Sequence, residues 1–158
     1  MVIAPKDVFK RTIVVTDEDF DIEKIYKNFK KRAESMGYYF VEKEQGVKGA
    51  KYGQEVGFKF SLSRKIDVFA KSQYELEFVF DNLKKIDGFD HGNCRIKIVG
   101  SAILDYENKW GKSTFDLILL KLYLKVIGAE IKRKYFGAVV KDGFEINDSI
   151  KSDFGFYT

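Results

Sequence analysis

The sequence contains one histidine, His91, in a short polar segment that also holds Asp87, Asp90 and Cys94. A serine or cysteine hydrolase would have to use His91 as its general base, and a zinc site would need all four side chains to converge. Two glycines and an asparagine interrupt the segment, which is typical of a turn, and no second histidine or cysteine completes a zinc shell. We therefore interpret the segment as an exposed turn, and Cys94 as a small buried side chain that opens an apolar strand.

Four acidic residues alternate at the start of the first predicted helix, with the spacing of calcium ligands in an EF-hand loop. The similarity ends there, because Ile22 occupies the position that needs glycine and Asn28 the position that needs a bidentate glutamate. Carboxylates near the N-terminal end of a helix are stabilised by its dipole. We therefore predict a structural role, and no metal site, for Asp17, Asp19, Asp21 and Glu23.

A glycine-rich stretch, Gly46–Gly57, contains Lys48 and Lys51. Its first four residues match the GxxG loop with which KH domains clamp a nucleic-acid backbone, but that loop joins two helices and this stretch lies between predicted strands. The stretch can be interpreted either as a flexible hairpin loop or as a basic contact loop.

A second basic segment, Lys132, Arg133 and Lys134, stands directly before Tyr135 and Phe136. Basic and aromatic side chains together can touch phosphates and stack on bases. A solvated helix face is the simpler interpretation, because acidic residues belong to the same predicted helix. Nucleic-acid binding is thus permitted but not indicated.

The composition is that of a globular protein, with 45% hydrophobic and 33% charged residues and a net charge of +4. The single cysteine excludes an intramolecular disulfide, and together with the lack of a signal segment it indicates the cytoplasm. The most apolar stretch, Phe115–Ile127, is interrupted by Lys121 and Lys125 and is shorter than the roughly 20 residues that span a bilayer. We expect one domain over residues 1–158, with no transmembrane segment, catalytic residue, metal or cofactor.

Hydrophobic periodicity predicts an α+β fold with an antiparallel sheet of about five to six strands. An amphipathic N-terminal helix runs from Phe20 to Met36, and Gly37 ends it. The long apolar helix at Phe115–Ile127 is expected to be heavily buried, with its repeat continuing to a break at Asp142-Gly143 and a short closing helix beyond. The predicted strands are Lys6–Thr16, Tyr38–Glu44, Val56–Ser63, a shorter Ile66–Ala70, Tyr74–Asp81 and Cys94–Tyr106, with turns at Lys71–Gln73 and Asp87–Asn93.

Aromatic residues make up 16% of the chain, and alternation places several of them on one face of the predicted sheet. Lys59, Ser61, Glu75 and Glu77 should lie on the opposite, solvent-facing side. Large rings on inner faces can either fill a core or line a cavity. The residues predicted to line an apolar pocket are Phe58, Phe60, Phe78, Phe80, Leu120, Tyr123 and Leu124.

The order strand, helix, antiparallel meander and long C-terminal helix resembles the helix-grip layout of START-like domains. That resemblance implies a curved sheet that wraps the last helix and encloses an apolar cavity, although such domains usually have two short helices after the first strand. A plain α+β sandwich, with helices covering one sheet face, is the alternative.

Two functions follow as hypotheses, ahead of a small enzyme, for which the sequence offers no catalytic motif. The first is a non-enzymatic binding module that holds an apolar small molecule between the sheet and the long helix. The second is a macromolecular adaptor, or a protein associated with RNA or a ribonucleoprotein, that uses its basic loop and helix surfaces. A protein partner or a homodimer is compatible with either.

Overall fold

In the computed structural model, the described residues are 6–50, 53–86, 89–104, 113–126 and 128–154. The strands are β1 (Lys6–Phe20), β2 (Tyr39–Ala50), β3 (Gly53–Lys65), β4 (Ala70–Ile86) and β5 (Phe89–Leu104). The helices are α1 (Ile22–Ser35), α2 (Thr114–Val126), α3 (Gly128–Ile131) and α4 (Gly137–Asp153), and a π-helical segment (Lys132–Phe136) joins the last two. The predicted α+β class is confirmed.

The five strands form one antiparallel sheet in the order β1-β5-β4-β3-β2. Four of them are joined as a meander, and β1 pairs with the last strand, so that Ile13 lies opposite Ile96. The sheet therefore needs contacts between distant parts of the chain before its first strand is placed.

Helix α1 forms where the amphipathic pattern predicted it. The Asp21 carboxylate caps its N-terminal end by accepting a hydrogen bond from the backbone N–H of Lys24, at 3.1 Å. Gly37 follows the helix with a φ of +86°, a conformation that side chains rarely adopt. The apolar face of α1 buries Ile25, Phe29 and Ala33 against the sheet.

The core lies between one face of the sheet and helices α1 and α4. As predicted, Phe58, Phe60, Phe78 and Phe80 share the buried face. Phe29 of α1 packs directly on them, with its ring centroid 5.6 Å from that of Phe60 and 5.4 Å from that of Phe78. Val139, Ile146 and Ile150 contribute the α4 side of the same core.

Three local predictions within the meander are wrong, the last of them for the residues that the structure describes. The segment predicted as a short strand at Ile66–Ala70 is a tight turn up to Ala70, because the Asp67 carboxylate accepts hydrogen bonds from the backbone N–H groups of Phe69 and Ala70. The predicted turn at Lys71–Gln73 lies inside β4. Of the predicted turn at Asp87–Asn93, residues 89–93 belong to β5, and residues 87–88 lie outside the described residues.

The predicted helix break at Asp142-Gly143 is also wrong, since α4 continues through both residues. Gly143 is a glycine for reasons of space: a Cβ atom there would lie 2.6 Å from the ring of Phe9. At this position α4 packs directly on the Phe9 ring of β1.

The predicted deep burial of α2 is wrong as well. Leu120 is the one buried residue of this helix, at 2% exposure, and several of its large apolar side chains face solvent. The physical reason is that α1 and α4 already cover the inner face of the sheet. Helix α2 is left beside a smaller apolar cluster at the end of the sheet, formed by Ala70, Leu104 and Tyr135.

Candidate functional site

The residues predicted to line an apolar pocket lie in two separate places. The four phenylalanines pack in the core under α1, where each ring contacts other aromatic rings. Leu124 packs against the smaller cluster, and the ring of Tyr123 meets that of Phe69 edge-on at a centroid distance of 6.0 Å. Leu120 is buried on the inner side of α2. The structure does not bring the seven side chains around one space.

Helix α2 instead presents an apolar surface to solvent. Successive helical residues are 100° apart, so Phe115, Leu119, Leu122 and Val126 lie along one line. Leu120 and Leu124 point to the opposite side, toward the protein. The exposed fraction is 68% for Phe115 and 82% for Val126, the two ends of the line. We call this surface the α2 apolar face, and its members are Phe115, Ile118, Leu119, Leu122, Tyr123 and Val126.

One margin of the α2 apolar face is basic. Lys121 and Lys125 are exposed and lie next to Ile118 around the helix. Asp116 is the one acidic residue of α2, and it lies in the first turn on the other margin. The helix begins there because the Ser113 hydroxyl accepts a hydrogen bond from the backbone N–H of Asp116, at 3.1 Å.

Asp67 anchors the helical region that follows α2 to the sheet. Its carboxylate accepts hydrogen bonds from the hydroxyl of Tyr135, at 2.8 Å, and from the ammonium of Lys134, at 2.9 Å. Burial alone would raise the pKa of Asp67, but Lys134, the backbone N–H groups of its turn and Tyr135 together lower that pKa below its usual range. Asp67 therefore stays ionised and fixes the π-helical segment over the smaller cluster.

The predicted basic contact residues do not form one described surface. Arg133 is exposed, whereas Lys134 is engaged by Asp67. Lys51 lies outside the described residues, and the side chains of Lys48 and Lys132 are also outside them.

A buried polar cluster, which the sequence patterns do not predict, joins α4 to the sheet. Asp142 lies on the inner side of α4, where its carboxylate accepts hydrogen bonds from the hydroxyl of Tyr38 and from the guanidinium of Arg64. Arg64 also donates to the carbonyl of Met36 at 2.7 Å and lies over the Tyr38 ring. Burial and the Asp142 carboxylate raise the pKa of Tyr38 well above its usual value. These contacts indicate a structural connection between three elements.

His91 lies in β5 and not in an exposed turn. Its Nδ1 is 2.6 Å from a carboxylate oxygen of Asp19, and its Nε2 is 2.6 Å from one of Asp17. Strand pairing between β1 and β5 brings together the acidic cluster and the histidine, which lie far apart in the sequence. Within the described ranges, no group of three histidine, cysteine or acidic side chains is arranged to hold a metal ion.

Cys94 is buried, as predicted, beside these residues on β5. Burial raises the pKa of its thiol to about 12, so the thiolate that a nucleophile requires is scarce at neutral pH.

Comparison with known proteins does not assign the chain to a protein family. No protein-family model matches the sequence, and no curated protein matches it. Among the described helices, none is both long and apolar enough to cross a membrane.

Proposed function

We propose that this protein is a non-enzymatic binding module that acts as a macromolecular adaptor and docks through the α2 apolar face. The observation that carries the proposal is the exposure of six large apolar side chains on one helix. A helix that is apolar on all sides is normally buried, and contiguous exposed apolar patches mark interaction surfaces.

The size of the surface supports this role. If a fully exposed large side chain offers about 150–250 Å², the α2 apolar face presents on the order of 600 Å². Specific interfaces bury roughly 800 Å² on each partner, and weaker ones bury less. Helix α2 alone therefore supplies most of the area that a transient interface needs.

The hypothesis of an apolar small ligand has less support. The strand order, in which β1 pairs with the last strand and α4 packs on the inner face, favours the resemblance to helix-grip domains. The four inward phenylalanines, however, are packed against one another and against α1. A cytoplasmic location belongs to the same proposal, and the buried, unpaired Cys94 supports it.

The test is a double substitution in the centre of the surface, Leu122→Ser with Val126→Ser. Both side chains are exposed by more than half, so the fold and its stability should change little. The variant should bind much less of a fluorescent dye specific for apolar surface, and any concentration-dependent association seen by sedimentation should be lost. Val14→Ser is the matched control, because Val14 is an exposed apolar residue on β1, remote from α2. Equal dye binding and equal association in all three proteins would refute the proposal.

A further inference from the structure

We infer that the α2 apolar face contacts an anionic lipid bilayer, on which α2 lies parallel to the membrane plane. This inference rests on the proposed docking role of α2. It adds the partner, which the docking role leaves open.

The side chains around α2 are distributed as in a helix that lies at a membrane interface. Interfacial helices bury an apolar face about 5–10 Å into the boundary between headgroups and acyl chains, and keep cationic side chains beside it. On α2, Phe115, Leu122 and Val126 form the centre of the exposed face, and Tyr123 lies at its edge. Tyrosine is enriched at this depth because its ring is apolar and its hydroxyl is polar.

The positive charges beside the α2 apolar face complement an anionic surface. Lys121 and Lys125 are exposed along one margin, where their long stems can follow the apolar surface while the ammonium groups reach lipid phosphates. Asp116 is the one carboxylate of the helix, and the exposed charges that follow it, Glu130 and Arg133, offset each other. The whole chain carries a net charge of +4, so an anionic membrane attracts it as a body.

The same charges disfavour an antiparallel pairing of α2 with a second copy of the chain. In a pair of α2 helices, the side chains beside the apolar seam decide which helices can associate. An antiparallel pair brings the same margin of each copy together, so lysines would face lysines, and no acidic residue of α2 lies on that margin to pair with them. Like charges placed next to each other oppose association.

The length of α2 fixes the mode of contact. With 13 residues the helix is about 20 Å long, whereas a bilayer core is about 30 Å thick. Helix α2 can therefore lie on a membrane but cannot cross it.

The test is flotation of the purified protein with phosphatidylcholine vesicles, with and without phosphatidylserine. We expect the wild-type protein to float with the phosphatidylserine vesicles and to be released by high salt. The Leu122→Ser/Val126→Ser variant should bind more weakly by a factor of at least about ten, because it loses two buried side chains. Lys121→Gln with Lys125→Gln should weaken binding to the anionic vesicles and reduce its dependence on salt. Val14→Ser should float like the wild type.

The outcomes separate the inference from the docking role on which it rests. If the protein does not float but associates with itself through α2 in sedimentation, the lipid inference is overturned and the adaptor role stands. If it neither floats nor shows any α2-dependent association or dye binding, both are overturned. Salt-sensitive binding to RNA that requires Lys121 and Lys125 but not Leu122 would also overturn the lipid inference, since no apolar face is then involved.

Discussion

At the scale of single residues, the most consequential contact is the one between Asp142 and its two donors. Asp142→Ala would leave the Arg64 guanidinium and the Tyr38 hydroxyl without their carboxylate in a largely buried site. Removing one partner of a buried ion pair costs about 3–5 kcal/mol. Because Arg64 keeps some contact with solvent and a bond to a backbone carbonyl, we expect a loss of about 3 kcal/mol in the free energy of unfolding.

Chemical denaturation of the Asp142→Ala variant measures this loss. Asp148→Ala is the matched control, because Asp148 is an exposed carboxylate on the same helix, and its removal should change stability by less than about 0.5 kcal/mol. Similar midpoints for both variants would show that the Asp142 cluster contributes nothing specific.

His91 gives a prediction about pH. Hydrogen bonds that the protonated ring donates to the carboxylates of Asp19 and Asp17 raise the pKa of His91 above the usual value of about 6.5. A raised pKa means that the stabilisation is complete below the unfolded-state pKa and is lost as pH rises through the folded-state pKa. Since this is the one histidine of the chain, a single ring-proton resonance can be followed by NMR.

We expect the midpoint of that titration to lie above 6.5 in the wild-type protein and to fall in Asp19→Asn. Glu18→Gln is a suitable control, because it removes a neighbouring exposed charge that makes no bond to the ring. A midpoint that is the same in all three proteins would mean that the two carboxylates do not hold the imidazolium in solution.

The same residues show what sequence patterns can and cannot predict. The burial of Cys94 was predictable because it stands at an inward position of an alternating strand. The partners of His91 were not, because they lie more than 70 positions earlier and only the pairing of β1 with β5 brings them close. Asp142 did offer a signal: it falls on the apolar stripe that Val139 and Ile146 continue, and a carboxylate on such a stripe needs a partner.

At the scale of elements, two glycines in helices distinguish the effect of the room available for a Cβ atom from the effect of helix propensity on stability. Replacing glycine by alanine inside a helix normally stabilises it by up to about 1 kcal/mol. At Gly128, the first residue of α3, a new Cβ would meet nothing within 4 Å, so Gly128→Ala should raise the free energy of unfolding by a part of that amount. At Gly143 in α4, the Cβ would press on the Phe9 ring, and overpacking costs about 1–3 kcal/mol.

We therefore expect Gly143→Ala to destabilise the protein despite its better helix propensity, and Gly128→Ala to stabilise it. Thermal and urea unfolding of the two variants measure both effects. A stabilised Gly143→Ala variant would show that α4 and β1 are not packed as closely as described.

The elements themselves were predicted with uneven success, for physical reasons. Helix α1 and the strands around Phe60 and Phe78 follow from periodicity, because each has one buried and one wet face. Helix α2 is apolar on nearly all sides apart from Lys121 and Lys125, so periodicity did not show which of its apolar sides faces solvent. Its position depends on α1 and α4, which cover the inner face of the sheet. The Ile66–Ala70 segment was mistaken for a strand because its apolar content conceals the turn that Asp67 forms.

At the scale of the whole molecule, backbone amides should be less protected from hydrogen exchange the farther they lie from the centre of the sheet. Strands β4 and β5 have partners on both sides and carry core residues such as Leu76 and Ile98. Helix α2 contacts the protein through one side only. Amide hydrogen exchange should thus be slowest in β4 and β5 and fastest, among the helices, in α2.

Exchange followed by mass spectrometry tests this order, and vesicles with phosphatidylserine should slow exchange in α2 while leaving β4 unchanged. Protection of α2 equal to that of β4 in the free protein would contradict the one-sided packing of the helix.

The position of β1 beside β5 has a consequence for synthesis. Lys6 pairs with Ala102, so the first strand leaves the ribosome long before its partner exists. At about 5–20 residues per second, β1 waits roughly 5–20 s with its apolar residues uncovered. During that interval a chaperone could bind the apolar residues of β1. The nascent chain can complete its sheet only after β5 has emerged and paired with β1.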